Sequence, residues 1–347
     1  MPDTPRGTPY GSITEPDTTG LSATPADPGA EGFAQQIKET ADKLLRDKAG
    51  RGDIKLLATA LRELRYCFKV FGAYRGRRKV TVFGSARTRP DHPAYRAAVE
   101  FGRRIAEAGY MVITGAASGI MEAGHEGAGV ANSFGVNILL PFEQSANKVI
   151  TGDPKLMTLR YFFTRKLVFI KESDAVVLFP GGFGTHDEAF ESLTLMQTGK
   201  THIFPVVLVD EPGGTYWQRW LEFIKEGLLA NGYISPEDLH LFRITDSIED
   251  AVQEVTNFYR VYHSMRYVRG ELILRLRRRL SEATMDRLRA EFGDIAPPAT
   301  FEQTAMLPQE ANEPQLANLP RLKFRFDRHR HGRLRQLIDL INAEPEA

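Results

Sequence analysis

The sequence predicts an α/β protein with a doubly wound parallel sheet, N-terminal helices and a helical, basic C-terminal extension. Strand-length apolar runs alternate with helix-length segments through residues 79–262, which is typical of a parallel sheet joined by right-handed crossovers. The run at residues 175–179 contains no polar residue and so resembles a strand buried on both faces. It ends in Pro180 and a glycine-rich loop, after which a helical pattern begins. These observations indicate a Rossmann-like sheet, whose ligands bind at the carboxyl ends of the strands.

The composition is that of an ordinary globular protein. Of the 347 residues, 42% are hydrophobic and 26% are charged, as is usual for such domains. A net charge of +1 argues against a protein built around nucleic acid. The single cysteine, Cys67, leaves no disulfide framework and no cysteine-based zinc cluster. Membrane-length apolar runs and a secretory signal are both lacking, so we expect a cytoplasmic protein with no membrane partner.

Four segments are predicted along the chain. They are a disordered tail (1–30), N-terminal helices (31–75), the Rossmann-like domain (76–264) and a C-terminal extension (265–347). The tail is rich in Pro, Thr, Gly and Asp and has no apolar period. The two N-terminal helices are expected at residues 33–48 and 53–71, with Asp53 as a plausible N-cap of the second. Cys67 lies close to the apolar face of that second helix and is expected to pack there.

Within the Rossmann-like domain, strands and helices alternate. Strands are predicted at residues 79–83, 110–114, 135–140, 175–179, 204–209 and 241–244. Helices are predicted at residues 94–108, after residue 119, and at residues 155–171, 185–196, 216–229 and 247–262.

The C-terminal extension departs from this alternation. We predict a helix at residues 271–292 that carries an arginine cluster, and a linker at residues 296–320. Residues 321–326 alternate basic and apolar side chains and predict a strand. Such a strand could bind nucleic acid, but an edge strand with solvated cations is the favoured interpretation. We therefore do not expect a nucleic-acid partner.

Three loops that follow predicted strands combine glycine with small polar residues. They are Gly84-Ser85-Ala86-Arg87, Gly115-Ala116-Ala117-Ser118-Gly119 and Gly181-Gly182-Phe183-Gly184-Thr185. Three such loops in one sheet predict a nucleotide-sized crevice lined by backbone. None of them matches a phosphate-loop ATPase motif, and the first does not match the dinucleotide fingerprint Gly-x-Gly-x-x-Gly.

The third loop, residues 181–185, is called the glycine loop below. Where such a loop leads into a helix, free N–H groups and the helix dipole favour phosphate. Glu188 lies one turn into that helix, beside whatever the loop binds. However, Thr185-x-x-Glu188 is also the pattern of a capping box, in which both side chains only satisfy backbone donors. The spacing alone leaves both interpretations open.

The motif Pro-Gly-Gly-x-Gly-Thr-x-x-Glu at residues 180–188 resembles the signature of the LOG family and matches it at every fixed position. The resemblance extends over residues 79–262. Residues 83–87 are similar to the family's first-strand motif, and residues 119–123 are similar to the segment after its second glycine loop. Arg165-Lys166 is similar to the family's Arg-Lys pair. Known members of the family are nucleoside 5′-monophosphate phosphoribohydrolases.

The resemblance implies roles for individual residues. Arg165 and Glu188 would be the catalytic pair, the glycine loop would hold the 5′-phosphate, and Glu122 would help to line the nucleotide pocket. The residues expected to bind substrate are Gly84, Ser85, Gly115, Ser118, Glu122, Lys166, Gly181, Gly182, Gly184 and Thr185. Neither a metal nor a cofactor is expected.

One position departs from the family's pattern. Members usually carry two or three consecutive glycines after the second strand, whereas here Ala116 and Ala117 follow Gly115. Alanine restricts the backbone, so the family's pocket shape and base preference are not carried over. The N-terminal helices and C-terminal extension also make the longer bacterial members the better comparison.

The residue types suit cleavage of an N-glycosidic bond, which develops positive charge on the ribose. A carboxylate can stabilise that charge or orient water. Glu188, at the start of a helix, is expected to stay ionised at neutral pH. Arg165 cannot give up a proton and would instead clamp phosphate or stabilise the leaving base. His125 and His186 are further candidates for an acid.

The Arg-Lys pair also allows two other interpretations. Arg165 and Lys166 could simply form a solvated helix face. The family's older label, lysine decarboxylase, would require a Schiff-base lysine for pyridoxal phosphate, and Lys166 is the only lysine near the expected site. Nothing else in the sequence marks such a site.

The sequence therefore predicts a phosphoribohydrolase that splits AMP, or a related purine such as a cytokinin riboside monophosphate, into base and ribose 5-phosphate. A non-catalytic nucleotide sensor with the same fold is the alternative. We also expect a homodimer or higher homo-oligomer. The predicted helix at residues 157–171 is apolar nearly all round, and such a helix is either central to a core or shared with another subunit.

Overall fold

The computed structural model describes residues 29–140 and 146–344. Most of the predicted tail lies outside these residues. Two helices come first, α1 (Ala30–Arg46) and α2 (Arg51–Gly72). Helix α2 begins after Gly50, so Asp53 lies in its first turn and is not its N-cap. Cys67 is fully buried, and burial raises the pKa of its thiol to about 12. It is a packing residue, as predicted.

A seven-stranded parallel sheet in the order β4-β3-β2-β1-β5-β6-β7 confirms the predicted fold class. Its strands are β1 (Lys79–Phe83), β2 (Met111–Thr114), β3 (Ser133–Ile138), β4 (Leu156–Leu159), β5 (Ala175–Leu178), β6 (Val206–Val209) and β7 (Arg243–Thr245). The helices between them are α3 (Pro93–Glu107), α4 (Ile120–Ala128), α5 (Phe162–Glu172), α6 (Phe183–Gln197), α7 (Tyr216–Phe223) and α8 (Ile248–Phe258). Strand β1 pairs with β2 on one side and β5 on the other, so the strand order reverses here and opens a crevice.

The two faces of the sheet have separate apolar cores. Helices α3, α4 and α8 cover one face, on which Ala175 and Val177 of β5 are buried. Helices α2, α5, α6 and α7 cover the other face, where Val176 and Leu178 are buried. All four residues of β5 are at most 2% exposed. The prediction of a strand buried on both faces is therefore confirmed.

Strand β4 corrects the predicted helix at residues 155–171. Residues 156–159 form an edge strand paired with β3, and α5 begins only at Phe162. The burial of β4 alternates, with Met157 and Leu159 inside and Thr158 exposed. This two-residue period is that of a strand. The segment is too short for its alternation to stand out from the apolar helix that follows.

The C-terminal extension forms a second sheet, which is antiparallel and has the order β10-β11-β9-β8. It consists of β8 (Tyr262–Val268), β9 (Glu271–Leu276), β10 (Glu302–Thr304) and β11 (Arg321–Phe324), with helices α9 (Glu282–Glu291) and α10 (His331–Asn342). The predicted helix at residues 271–292 is wrong in its first part, and the predicted helix at residues 247–262 ends at Phe258. Arg269 and Gly270 both have positive φ angles, which is the geometry of a tight hairpin turn.

Strand β11 was predicted correctly as a strand but wrongly as an edge. It lies between β10 and β9, and Arg321 is fully buried with its Nε 3.0 Å from the Glu310 carboxylate. Lys323 pairs with Glu302 at 2.9 Å. The cations of this strand are thus neutralised within the fold. The predicted linker at residues 296–320 contains β10 and the buried Glu310, so it is an ordered part of this sheet.

Within the described ranges, none of the helices is long and apolar enough to cross a membrane.

Candidate functional site

A cavity of about 730 Å³ lies at the carboxyl ends of β1 and β5, where the sheet's strand order reverses. It is called the candidate cavity below. Its walls bring together several predicted residues: Gly84, Ser85, Arg165, Gly181, Gly182, Gly184, Thr185 and Glu188. The glycine loop and the expected catalytic pair therefore face one space.

The glycine loop opens directly into α6. This helix has Gly182 as its N-cap and begins at Phe183, with no side chain capping it. Thr185 is thus the third helical residue rather than the cap. The capping box at Thr185 and Glu188 does not form, so no side chain competes with an anion for the backbone donors at the helix start.

Two glycines of the loop have different surroundings. A methyl group added at Gly181 would collide with the side chain of Thr185, so only glycine fits there. The same group at Gly182 would meet no atom within 4 Å. Because Gly182 also lines the candidate cavity, a ligand can approach its backbone closely. The loop is braced from behind by Tyr216, whose hydroxyl donates to the carbonyl of Gly181 at 2.5 Å.

Glu188 is buried in the wall of this cavity, with 7% of its surface exposed. Burial raises the pKa of its carboxyl to about 7, against the opposing charge of Lys166. The prediction that Glu188 stays ionised at neutral pH is therefore corrected. The helix start favours the anion, but desolvation outweighs it, so both protonation states are accessible near pH 7.

The positive charge of Lys166 does not keep the pKa of Glu188 low, because Lys166 lies closer to two other carboxylates. Its Nζ lies 2.9 Å from the carboxylates of Asp187 and Glu191, but 3.7 Å from that of Glu188. Burial disfavours the ammonium, yet hydrogen bonds to Glu191 and Asp187 and the charge of Glu188 outweigh burial and raise the pKa of Lys166. A lysine held as a cation by three carboxylates is a poor Schiff-base nucleophile. The site does not fit pyridoxal phosphate.

Arg165 crosses from α5 to the end of β2. Its Nε donates to the carbonyl of Val136 at 2.9 Å, and its guanidinium carbon lies 5.3 Å from the centre of the Phe169 ring. A methyl group added at Gly115 would collide with this guanidinium. Gly115 therefore leaves the space that the arginine occupies. Arg165 is not a solvated helix residue.

Comparison with known proteins identifies the family. A family profile described as "possible lysine decarboxylase" matches residues 113–255. A probable cytokinin riboside 5′-monophosphate phosphoribohydrolase from Oryza sativa subsp. japonica is 31% identical over 168 residues, which are 48% of this chain and 71% of the rice protein. The chain belongs to the LOG family.

Two further similarities are more limited. The cytokinin riboside 5′-monophosphate phosphoribohydrolase of Mycobacterium tuberculosis is 36% identical over 101 residues, 28% of this chain and about half (51%) of that protein's length. A solved molybdenum cofactor binding protein from Rippkaea orientalis has a TM-score of 0.37 and 19% identity, covering 52% of this chain and 96% of that one. We infer nothing about ligands from the latter.

At Ala116, where the chain departs from the LOG family pattern, the backbone adopts the conformation that glycine would have. Ala116 has φ of 60°, the left-handed conformation that glycine adopts freely and other residues rarely do. Its N–H donates to the Thr114 hydroxyl at 2.9 Å, and its carbonyl accepts from the N–H of Asn147 at 2.8 Å. The loop thus adopts a glycine-type turn without glycine.

Other residues predicted to bind substrate in this LOG family member lie outside the cavity wall. The Ser118 hydroxyl donates to the carbonyl of Ala86 at 2.9 Å, which ties the second loop to the first. Glu122 lies 3.6 Å from the Nζ of Lys148. Gly115 contacts the guanidinium of Arg165, and the ammonium of Lys166 contacts the acidic side chains around it. Direct roles for these residues remain predictions.

The two candidate histidines differ in accessibility. His125 is fully buried, hydrogen-bonded to Thr114 and Phe134, and burial lowers its pKa to about 4. It is structural. His186 lines the candidate cavity, with its Nε2 2.7 Å from the Tyr216 hydroxyl, and burial lowers its pKa.

Sequence reasoning missed three large side chains in the cavity wall. Phe183 is 94% exposed and Phe162 is 52% exposed, and both line the cavity together with the exposed Arg87. Phe183 occupies the variable position of the LOG motif, and Arg87 is the last residue of the first glycine loop. Their positions in these motifs were the available signal. An aromatic residue in a loop was not otherwise distinguishable from a packing residue.

Among the described residues, no group of three or more histidine, cysteine, aspartate or glutamate side chains is arranged to hold a metal ion.

Proposed function

We propose that this protein hydrolyses the N-glycosidic bond of a nucleoside 5′-monophosphate to give the free base and ribose 5-phosphate. One observation carries the proposal: the buried carboxyl of Glu188 and the guanidinium of Arg165 line the same cavity as a glycine loop that opens a helix. The family relationship supports the same activity.

The 5′-phosphate would bind at the glycine loop. Gly182 is open to the cavity and stands at the start of α6, where the helix dipole and unpaired N–H groups favour an anion. Arg87 lies in the same wall with an exposed side chain. Backbone donors and one cation together suit a phosphate dianion better than a neutral sugar.

Glu188 would then act beside the ribose. As the glycosidic bond breaks, positive charge develops on the sugar, and a nearby carboxylate stabilises that charge or orients the attacking water. With a pKa of about 7, roughly half of the free sites at neutral pH carry the carboxylate that this role needs. Arg165, which is always charged, would stabilise the phosphate or the departing base.

We propose a purine monophosphate as the substrate, with AMP as the first choice. The named relatives act on cytokinin riboside 5′-monophosphates according to their descriptions, and these are purine compounds related to AMP. The exposed rings of Phe162 and Phe183 in the cavity wall offer flat surfaces for a base. A cytoplasmic location, where nucleotides occur, fits this substrate.

We also propose that the protein acts as a homodimer or higher homo-oligomer. On α5, next to Arg165, the side chains of Phe162, Phe163 and Leu167 are 52%, 51% and 48% exposed. Leu57 and Leu61 of α2, a helix that packs on α5, are 46% and 49% exposed. An apolar face of this kind is typical of a subunit contact.

The direct test is product analysis. Incubation of the purified protein with AMP is expected to release free adenine and ribose 5-phosphate, separable by chromatography. If AMP binds and stays intact, and cytokinin riboside monophosphates do too, the alternative of a nucleotide sensor replaces this proposal.

A further inference from the structure

A second cavity lies at the opposite end of the parallel sheet from the glycine loop. Its volume is about 1050 Å³, compared with about 730 Å³ for the candidate cavity. Lys79 at the start of β1 and Asp174 just before β5 line it, and β8 of the second sheet contributes Tyr262 and His263. It is therefore built at the junction of the two sheets, and is called the distal cavity below.

The lining of the distal cavity is basic. Six of its side chains are arginine or lysine (Arg75, Arg77, Arg78, Lys79, Lys171 and Arg277), whereas two are carboxylates. Both carboxylates are already neutralised: Asp174 pairs with Arg78 at 2.6 Å, and Glu172 pairs with Lys171. The lining thus carries four more cations than these pairs use.

Those four cations have no acidic partner among the residues that the structure describes. Arg77 donates to the carbonyls of Gly109 and Tyr110 and to the Asn132 side chain. Lys79 donates to two backbone carbonyls, and Arg277 donates to a third at 2.8 Å. In the described ranges, no carboxylate lies within 4 Å of the charged side-chain nitrogens of these three residues or of Arg75. The backbone N–H of Lys79, by contrast, donates to the Asp174 carboxylate at 2.9 Å. Neutral oxygens satisfy their hydrogen bonds but leave their charges uncompensated.

The surrounding groups respond to this excess charge. Burial and the charge of Arg78 lower the pKa of Arg277. Burial, together with the charges of Arg78, Arg277 and Arg275, lowers the pKa of His263 to about 4. Burial also lowers the pKa of Lys79, which is only 4% exposed. Such a concentration of cations in a partly desolvated space attracts anions.

A second observation also points to a ligand. Tyr262 lines the distal cavity and is fully buried, and its hydroxyl has no hydrogen-bond partner in the described part of the chain. A buried hydroxyl without a partner is unfavourable. A phosphate oxygen would accept a hydrogen bond from this hydroxyl.

We propose that the distal cavity is a second ligand site, which binds a small molecule carrying a diphosphate or triphosphate group. A phosphomonoester carries about two negative charges, which is fewer than the four uncompensated cations. A chain of two or three phosphates matches them, and guanidinium groups bind phosphate oxygens in pairs. The cavity volume leaves room for an organic part of nucleoside size. This site is independent of the proposed hydrolase activity.

The test is isothermal titration of the full chain with inorganic tripolyphosphate. Wild-type protein is expected to bind it, and the double variant Arg75→Gln/Arg277→Gln is expected to bind about tenfold more weakly or worse. Both side chains are exposed, and folding of the variant is checked by its melting temperature. If it does not fold, Arg75→Gln alone carries the test.

Two control variants make the result specific. Arg279 is exposed, lies two residues after Arg277 and does not line the cavity, so Arg279→Gln should bind tripolyphosphate like wild type. Gly182→Val, which blocks phosphate only at the glycine loop, should keep the binding that the double variant loses. The proposal is overturned if wild type does not bind, if the double variant binds equally well, or if Gly182→Val is the variant that loses binding.

Discussion

The guanidinium of Arg165 occupies the space that a side chain at Gly115 would fill. The arginine reaches there from α5, held by its hydrogen bond to the carbonyl of Val136, and Gly115 directly follows β2. The second glycine loop therefore positions a catalytic candidate without itself lining the cavity.

Gly115→Ala should displace Arg165 and lower kcat/KM for AMP by about 10–100-fold, with little loss of folding. The matched control is Gly124→Ala, where an added methyl group would meet its nearest atom, Val82 Cγ1, at an ordinary 3.5 Å. Steady-state kinetics of both variants check the prediction. Equal activity in the two would show that the position of Arg165 does not matter for turnover.

Glu188→Gln should lower turnover of AMP by about a hundredfold or more, since it removes the charge that stabilises the ribose and preserves the shape of the side chain. Glu191→Gln is the control. Glu191 also bonds Lys166, at 2.9 Å, but does not line the candidate cavity, so its loss should change activity only a few-fold. Near-normal turnover by Glu188→Gln would rule out the catalytic role.

The same Glu188→Gln variant should be more stable than wild type at alkaline pH. The pKa of Glu188 is raised from 4.5 to about 7 by burial, so the folded state holds its proton while the unfolded state releases it. The free energy of unfolding therefore falls as the pH rises from about 4.5 to 7. Glutamine should recover about 3 kcal/mol at pH 8 and almost nothing at pH 4. Urea unfolding at the two pH values measures this, and an equal difference at both would contradict the shifted pKa.

An oligomer is predicted from the exposed apolar face of α2 and α5. Light scattering at micromolar concentration should give at least the mass of a dimer, and Phe163→Ser should shift the population towards monomer. Phe223→Ser is the matched control, because Phe223 is 57% exposed, close to the 51% of Phe163, but lies on α7. A stable wild-type monomer would be the contrary outcome.

Sequence patterns predicted the central sheet well because its signals are local. The apolar run of β5, the glycine loop and the start of α6 lie in one stretch of fewer than 25 residues. Strands β4 and β9 were mistaken for helix because each is short and rich in leucine. Strand β4 is stabilised by pairing with β3, and β9 by pairing with β8 across a hairpin and with the distant β11. Pairing of this kind outweighs the intrinsic helix propensity of the segment.

The sequence predicted which residues form the candidate site better than it predicted their properties. The raised pKa of Glu188 depends on its burial and on how Lys166 is shared among three carboxylates. The contact between Arg165 and Gly115 depends on where α5 meets the end of β2. The capping box failed because α6 begins two residues before Thr185. None of these features can be predicted from the local sequence.

The central claim is that the glycine loop binds the phosphate of a nucleotide whose glycosidic bond is cleaved beside Glu188. The measurement that tests it most directly is kcat/KM for AMP and for adenosine in one assay, with wild type and Gly182→Val. Valine at position 182 would project into open space rather than into the fold, so it blocks the approach of phosphate. We predict that wild type cleaves AMP far better than adenosine, with the difference in kcat as well as KM, and that Gly182→Val loses this preference. Equal values of kcat/KM for AMP and adenosine in the wild type would contradict the claim.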